Sequence, residues 1–280
     1  MEKITGKTFD EERALYALTD AEVENCVFAG PADGESALKE AQRICVSDCR
    51  FSLRYPFWHT KDFTLKNSSL DELTRASVWY AEDGTISDCV INGIKCLREC
   101  SGIKLKNVNA VSPEFGWRCR NIDIADCDIT SEYFMFECEN VNIDKLTMKG
   151  KYSFQYTENV TVKDSYLDTK DAFWHSKNAT VENSVVKGEY LAWYSENLTL
   201  INCKIIGTQP LCYCKNLTLD SCTMEDTDFA FERSSVKADV VSHIISVRNP
   251  YEGYINADSI GQVYEYDPAN GCAITTKNKG

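Results

Sequence analysis

Three stretches decide the fold: Glu158-Asn159-Val160-Thr161-Val162-Lys163-Asp164-Ser165, Glu196-Asn197-Leu198-Thr199-Leu200-Ile201-Asn202-Cys203 and Lys215-Asn216-Leu217-Thr218-Leu219-Asp220-Ser221-Cys222. Each sets an apolar-x-apolar pair among polar neighbours, the alternation of a short half-buried strand. With the second apolar residue as an anchor, the series runs Val23, Val46, Leu65, Ile86, Leu105, Ile124, Ile143, Val162, Val181, Leu200, Leu219 and Ala238. From Ile86 to Ala238 the spacing is 19 residues eight times in succession, and the three earlier intervals are 23, 19 and 21. A fixed period of this kind marks a solenoid.

Each period subdivides in the same way. Two residues past the anchor stands a turn former, such as Asn25, Asp88, Asn107 or Asn202, suited to left-handed backbone. A second strand follows, with an inward residue five past the anchor (Ile91, Ile129, Met148, Leu167). A third, aromatic-rich strand ends at another Asn or Asp three before the next anchor (Asp83, Asn121, Asn159, Asn197). Three strands and three turns per period predict an all-β parallel β-helix with three parallel sheets and about twelve coils of 19 residues. Helical repeats need longer periods, and the Leu/Asn consensus of leucine-rich repeats is missing. At ~4.8 Å per coil the stack would be roughly 55–60 Å long.

The phrase Asn-Val-Thr-Val-x-Asp/Asn-Ser/Cys, at Asn159–Ser165 and Asn197–Cys203, resembles the repeat of the pectate-lyase-like superfamily over roughly residues 12–245. That resemblance implies a single-stranded helix of right hand, with Asn or Asp at the tight turn between the second and third sheets. Arg54-Tyr55-Pro56-Phe57-Trp58-His59 and Glu132-Tyr133-Phe134-Met135-Phe136 also resemble an uncharacterised bacterial branch, a domain of unknown function. No activity carries over with it. The Asn-Thr-Asp, Asp-Asp and Gly-His-Gly segments of polygalacturonases are missing, and Arg54-x-Pro56 lacks the Asp cluster with which pectate lyases hold calcium.

Composition narrows the partners. The 280 residues carry 30 basic and 43 acidic side chains, a net charge of −13 with no basic run to reverse it. Such a chain repels nucleic acid, anionic lipid and uronate polymers. No window reaches the ~18 consecutive apolar residues of a membrane span. Met1-Glu2-Lys3-Ile4-Thr5-Gly6 has no apolar signal core, so the expected compartment is the cytoplasm, with the fourteen cysteines reduced. Cys212-x-Cys214 and Cys45-x3-Cys49 are poor zinc motifs, and neither a metal nor an organic cofactor is expected. The anticipated organisation is one domain. Residues 1–245 form the helix, with Phe9–Ala17 a short amphipathic cap, although Leu15–Val23 also fits a first coil; residues 246–280 form a β-rich C-terminal cap ending in a frayed Lys277–Gly280. The insertion Gly30–Ser36 in the 23-residue interval is the expected groove wall.

Columns that break the repeat's composition are the candidates for function. Seven before the anchor run Trp58, Trp79, Arg98, Trp117, Phe136, Gln155, Trp174, Trp193 and Cys212, a column holding all five tryptophans. Beside it run His59, Tyr80, Glu99, Arg118, Glu137, Tyr156, His175, Tyr194 and Tyr213. The columns flanking this pair are apolar (Phe57, Val78, Leu97) and small (Thr60, Ala81, Cys100, Cys119, Cys138). Strict alternation cannot turn both flanking columns inward, so a bulge or bend is expected that puts both middle columns on or near the outside.

The expected function is binding or processing of a neutral oligosaccharide along this face. Aromatic rings would stack on sugar faces while polar neighbours bind hydroxyls. The candidate binding residues are Trp58, His59, Trp79, Tyr80, Trp117, Tyr156, Trp174, His175, Trp193 and Tyr194. For a glycoside-hydrolase-like reaction, Glu99 and Glu137, two coils apart, would be acid and base, with Arg118 between them. The competing readings are structural. Tryptophans can stack as core, and Glu99-Arg118-Glu137 alternates in sign as a cross-strand ladder should. The alternative function is a non-catalytic scaffold whose aromatic face docks a protein partner.

Overall fold

Apolar anchors at a constant spacing come into parallel register, and that register builds the architecture. The computed structural model describes residues 2–267 and 270–277. Among them the only helix is a single 3-10 turn, Glu72–Thr74, and no helix is long and apolar enough to cross a membrane. Contacts divide the chain into two units, Met1–Asn142 and Ile143–Gly280. In the first, Ile4, Val23, Val46, Leu65, Ile86, Leu105 and Ile124 each pair with the next. In the second, Val162, Val181, Leu200, Leu219, Ala238, Ile255 and Ile274 do the same. The fold is an all-β parallel β-helix, as expected.

It has about 14 turns rather than twelve, because the ladder continues past both ends of the anchor series. Ile4 lies in register with Val23. At the other end the step from Ala238 to Ile255 shortens, and register shifts after Leu219 and Val240 absorb the change. Strands Glu252–Tyr264 and Gly271–Thr276 therefore extend the parallel ladder, in the segment expected to be a cap. Near the N-terminus, Arg13 N donates to Glu35 O (2.8 Å) and Ala17 N to Lys39 O (2.9 Å), so the Leu15–Val23 stretch is a coil and not a helical cap. Of the segment expected to fray, Lys277 is tied down by its N–H to Ala257 O (3.1 Å) and its ammonium to Asp258 (2.9 Å), and residues 278–280 lie outside the described residues.

The second sheet carries the inward residues five past each anchor. In the first unit Phe9, Phe28, Phe51, Leu70, Ile91, Ala110 and Ile129 stand in register. The buried rings of Phe28 and Phe51 stack at 4.5 Å. In the second unit Met148, Leu167, Val186, Ile205 and Met224 form the matching column. The third side differs between the units. In the first it is a sheet of five short strands, Phe57–Trp58, Val78–Trp79, Lys95–Arg98, Glu114–Trp117 and Tyr133–Phe136. In the second, residues 172–175, 191–194 and 210–213 are turns.

Corners set the sequence requirements. Left-handed backbone recurs there, with φ of +52° at Asn25, +51° at Asn107, +54° at Asn178 and +56° at Asn197. Asn tolerates this conformation better than most side chains, and several corner Asn also bond their counterparts one coil away. Asn197 Nδ2 donates to Asn178 Oδ1 (2.9 Å), and Asn216 Nδ2 donates to Asn197 Oδ1 (2.8 Å). Beside the corners, some buried N–H groups find side-chain acceptors. Cys26 N donates to Cys49 Sγ (3.4 Å), Cys49 N to Ser68 Oγ (3.0 Å), Cys100 N to Cys119 Sγ (3.4 Å) and Ser165 N to Ser184 Oγ (3.0 Å). This explains why Cys and Ser interchange in these columns. Either one satisfies an N–H that would cost about 1–3 kcal/mol if left unpaired.

Two consequences can be measured. Asn197→Ala places a Cβ residue with no local hydrogen bond at φ +56° and removes two ladder bonds. It should cost about 1–3 kcal/mol in the urea unfolding midpoint, and Asn197→Gly should cost less because glycine takes the conformation freely. The thiols predict the pH dependence. All fourteen are free, and burial pushes Cys89 and Cys214 up to about 11 and Cys49 and Cys212 up to about 12. Above the unfolded thiol value of ~8.5 the unfolded chain gives up protons that the folded chain keeps. Stability is therefore fully present below ~8.5 and falls as pH rises toward 11, by up to about 1.4 kcal/mol per pH unit for each such thiol. A urea midpoint unchanged between pH 8 and 10.5 would contradict this.

Candidate functional site

The four columns on the third side of the first unit all find their place through left-handed residues. His59, Tyr80, Glu99, Arg118 and Glu137 have φ between +51° and +56°. From Leu97 onward the inward column is left-handed too, at Leu97 (+53°), Gly116 (+76°) and Met135 (+53°). Val78, in the same column, is not, as befits a β-branched side chain. The expected bend is thus present as left-handed residues flanking the tryptophan column. Phe57, Val78, Leu97 and Met135 are buried, as are Thr60, Ala81, Cys100 and Cys119. The tryptophans lie half-buried between them, and the next column looks out from the corner.

Within each unit the expected binding residues come together, but their rings largely cover one another. His59 and Tyr80 stack at 5.0 Å and 8°, so each covers one face of the other. Trp58 is sandwiched between Trp79 (5.4 Å, 11°) and the ammonium of Lys39, 4.1 Å above its centroid. Trp117 lies between the Arg98 guanidinium (5.3 Å) and Phe136 (4.9 Å). In the second unit Trp174 and Trp193 stack at 5.5 Å and 1°, and their N–H groups donate to the carbonyls of Tyr190 (2.6 Å) and Gln209 (2.8 Å). His175 is stacked between Tyr156 and Tyr194, at 5.0 Å from each.

Glu99, Arg118 and Glu137 share one column, as expected. Arg118 Nε bonds Glu137 Oε2 at 2.7 Å, with the side chains 56% and 40% exposed. That bond, with the charges of Glu137 and Glu99, holds the guanidinium above its usual value. Glu137 is thus engaged by a cation on an open corner. Among the described residues no group of three or more His, Cys, Asp or Glu is placed to hold a metal ion.

Enclosed space lies one column inward, where the tryptophan ladder breaks. Arg98 takes the place after Trp79, in register with it, and leans its guanidinium onto Trp117. Trp79 also packs on Tyr80 (5.3 Å, 16°), and on the Arg98 side no further tryptophan continues the ladder. A cleft of about 200 Å³ opens there, lined by Tyr55, Arg75, Ala76, Trp79, Ile94, Lys95 and Arg98 from three successive coils. Tyr55 meets the Trp79 ring at 5.7 Å and 59°. Lys95 and Arg98 share the Glu114 carboxylate, at 3.5 and 3.3 Å.

The 21-residue interval builds this cleft. Its two extra residues fall in the loop from Asp71 to Ser77. Asp71 caps the short helical turn by accepting from Leu73 N (3.0 Å), and Arg75 follows at φ +55°. The loop is tied to the coil before it by Tyr55 N to Thr74 O (3.0 Å) and to the coil after it by Lys95 N to Arg75 O (2.7 Å). Beneath, the buried hydroxyls of Thr74 and Ser77 bond each other at 2.7 Å. Gly93 passes so close that a Cβ there would sit 2.2 Å from Ser77 Oγ and 2.9 Å from Thr74 Oγ1. The expected groove wall, Gly30–Ser36, instead lies against Asp10 and Arg54, through Gly34 N to Asp10 O (2.9 Å) and Arg54 to Asp33 (3.4 Å). It takes no part in the cleft. Sequence reasoning therefore missed Tyr55, Arg75 and Lys95; the available signals were the 21-residue interval and the charged residue within a tryptophan column.

Comparison with known proteins places the chain by fold more than by task. A family model described as a protein of unknown function (DUF3737) matches residues 2–275. No curated protein matches. Similar solved structures include the catalytic domain of a GH87 α-1,3-glucanase in complex with nigerose, at 10% identity and TM-score 0.37, covering 99% of this chain and 63% of that one. The A-module of a mannuronan C-5 epimerase of Azotobacter vinelandii matches at 9% identity and TM-score 0.35, covering 99% and 91%. The GH136 lacto-N-biosidase of Eubacterium ramulus matches at 8% identity and TM-score 0.27, covering 99% and 60%. The chain spans less than two thirds of the length of the glucanase domain.

Gly93→Ala tests how the cleft is held. The new methyl must displace the Ser77–Thr74 hydroxyl pair under the loop. It should cost about 1–3 kcal/mol in the unfolding midpoint and shift tryptophan emission through Trp79. Gly271→Ala, with open space around its Cβ position, should leave the emission unchanged.

Proposed function

The chain belongs to the DUF3737 family of proteins of unknown function, and from its geometry we propose that it binds a saccharide ring in the cleft at the Trp79 ladder break. One observation carries this reading: Trp79 lines a space of about 200 Å³ together with Tyr55, Arg75, Lys95 and Arg98. An indole face packs on the apolar C–H face of a pyranose, and cationic and phenolic donors at its rim bind ring hydroxyls. His59 and Tyr80 extend the polar rim, so a longer, neutral oligosaccharide could continue along the corner. We propose binding without bond cleavage, because Glu137 is engaged by Arg118. If a bond is broken, Glu99 and Glu137 are the acid and base. The unpaired state of all fourteen thiols supports a reducing compartment such as the cytoplasm.

A second reading, docking of a protein partner, draws on the second unit, where Tyr156 and Tyr194 are 51% and 46% exposed in a rigid ring stack of the kind enriched at interfaces. Tryptophan fluorescence separates the two. Titration with common hexoses, N-acetylhexosamines and their short oligomers should give a saturable change with at least one sugar. Trp79→Ala should abolish the change and Trp174→Ala should keep it. Binding undiminished in Trp79→Ala, or silence across the panel, rejects the cleft. Release of reducing ends that disappears in Glu99→Gln and Glu137→Gln would add catalysis to binding.

A further inference from the structure

The chain is acidic throughout its composition, yet the cleft is not. Arg75, Lys95 and Arg98 converge on it from two adjacent coils, and the one carboxylate paired with them, Glu114, is shared between Lys95 and Arg98. Arg75 has no ion-pair partner among the described residues. Three cations against one shared carboxylate leave a local excess of about two positive charges, while the whole chain carries −13. Like charges held together without a counter-charge repel, and in a partly enclosed site that repulsion is screened less than at an open surface. Elsewhere on this fold cations meet carboxylates in neighbouring coils, as in Lys61–Glu82, Arg120–Glu139, Lys163–Glu182 and Lys170–Glu189. In the cleft Lys95 and Arg98 follow that habit with the single Glu114, and Arg75 adds a cation without a carboxylate of its own.

We infer that the ligand of this cleft is a phosphorylated monosaccharide, its ring on Trp79 and its phosphate between Arg75 and the Lys95–Arg98 pair. This rests on the saccharide reading above and adds the charged group. A phosphate monoester carries about −1.5 to −2 at neutral pH and so matches the local excess, whereas a neutral sugar leaves it uncompensated and a carboxylate meets half of it. Guanidinium groups favour such an oxyanion because their planar donors can bind two of its oxygens together. The small volume, about 200 Å³, against ~300–1,000 Å³ for pockets that bury drug-sized ligands, suits one ring with its substituent.

The test compares four probes by tryptophan fluorescence and calorimetry on the intact chain: a hexose, its 6-phosphate, its 6-sulfate and the corresponding uronic acid, with inorganic phosphate alongside. The phosphate ester should bind at least tenfold more tightly than the parent hexose. That preference should weaken as pH falls below ~6, where the ester loses its second charge, and should shrink in added salt. Arg75→Gln, at an exposed position, should remove most of the preference by weakening the ester far more than the hexose; Lys95→Gln should reduce it in part. Equal affinity for hexose and ester, a persistent preference in Arg75→Gln, or a sulfate or uronate bound as tightly as the phosphate would overturn the inference and leave saccharide binding standing. Silence from both hexose and ester, or inorganic phosphate binding as tightly as the ester while the hexose is silent, would remove the saccharide reading as well.

Discussion

The left-handed corner is the constraint on which everything else rests. A coil that must close in 19 residues changes direction abruptly, and it does so by placing residues at φ near +50° to +60°. Such residues cost roughly 1–2 kcal/mol each unless they are Gly, Asn or Asp. The chain meets this cost in two ways. At the corners beside the first sheet it uses Asn and Asp, whose amides then bond along the ladder. At the aromatic corner it uses Glu, Arg, His and Tyr, whose long side chains stack or pair with the coil above and below. Repetition makes both solutions cooperative, since each coil supplies the partner its neighbour needs.

A perfect ladder satisfies itself, and so has little left to offer a ligand. Where tryptophan follows tryptophan, as at Trp58–Trp79 or Trp174–Trp193, ring faces are used up in stacking. Binding capacity arises where the series is interrupted. Arg98 interrupts it in the first unit, and the two extra residues of the Asp71–Ser77 loop open space beside the break. Gly93 lets the following coil pass beneath that loop without lifting it. The site is thus a local defect made by one substitution and one insertion, on a scaffold rigid enough to hold the defect in shape.

The same contrast explains which residues could be read early. Cys100, Cys119 and Cys138 are recognisable as small buried side chains from their spacing, but the role of Cys119 and Cys138 as acceptors for corner N–H groups depends on geometry that spacing does not carry. The terminal coils escaped notice because their marks are thin. Ile4 stands alone before Val23, and the coil from Ala238 to Ile255 is short of the period. The candidate residues Trp79 and Tyr80 stand in neighbouring columns that the spacing singles out. Tyr55 and Lys95 stand in a column of mixed composition that gives no such signal, and Arg75 in an inserted loop; they meet only after three coils have stacked.

Sequence alone therefore determined the things that repeat: the parallel β-helix, the register of its anchors, the inward columns and the face bearing the tryptophans. Periodicity encodes these because one environment recurs at each turn, and a recurring environment selects a recurring residue. Tertiary structure decided the things that happen once. Which rings line open space, which cations lack carboxylates and where a loop leaves a cleft all depend on residues 20 or 40 positions apart meeting across coils. Their individual types are ordinary. Only the stacking of coils brings Tyr55, Arg75, Trp79, Lys95 and Arg98 around one space, and gives an acidic chain a site for an anion.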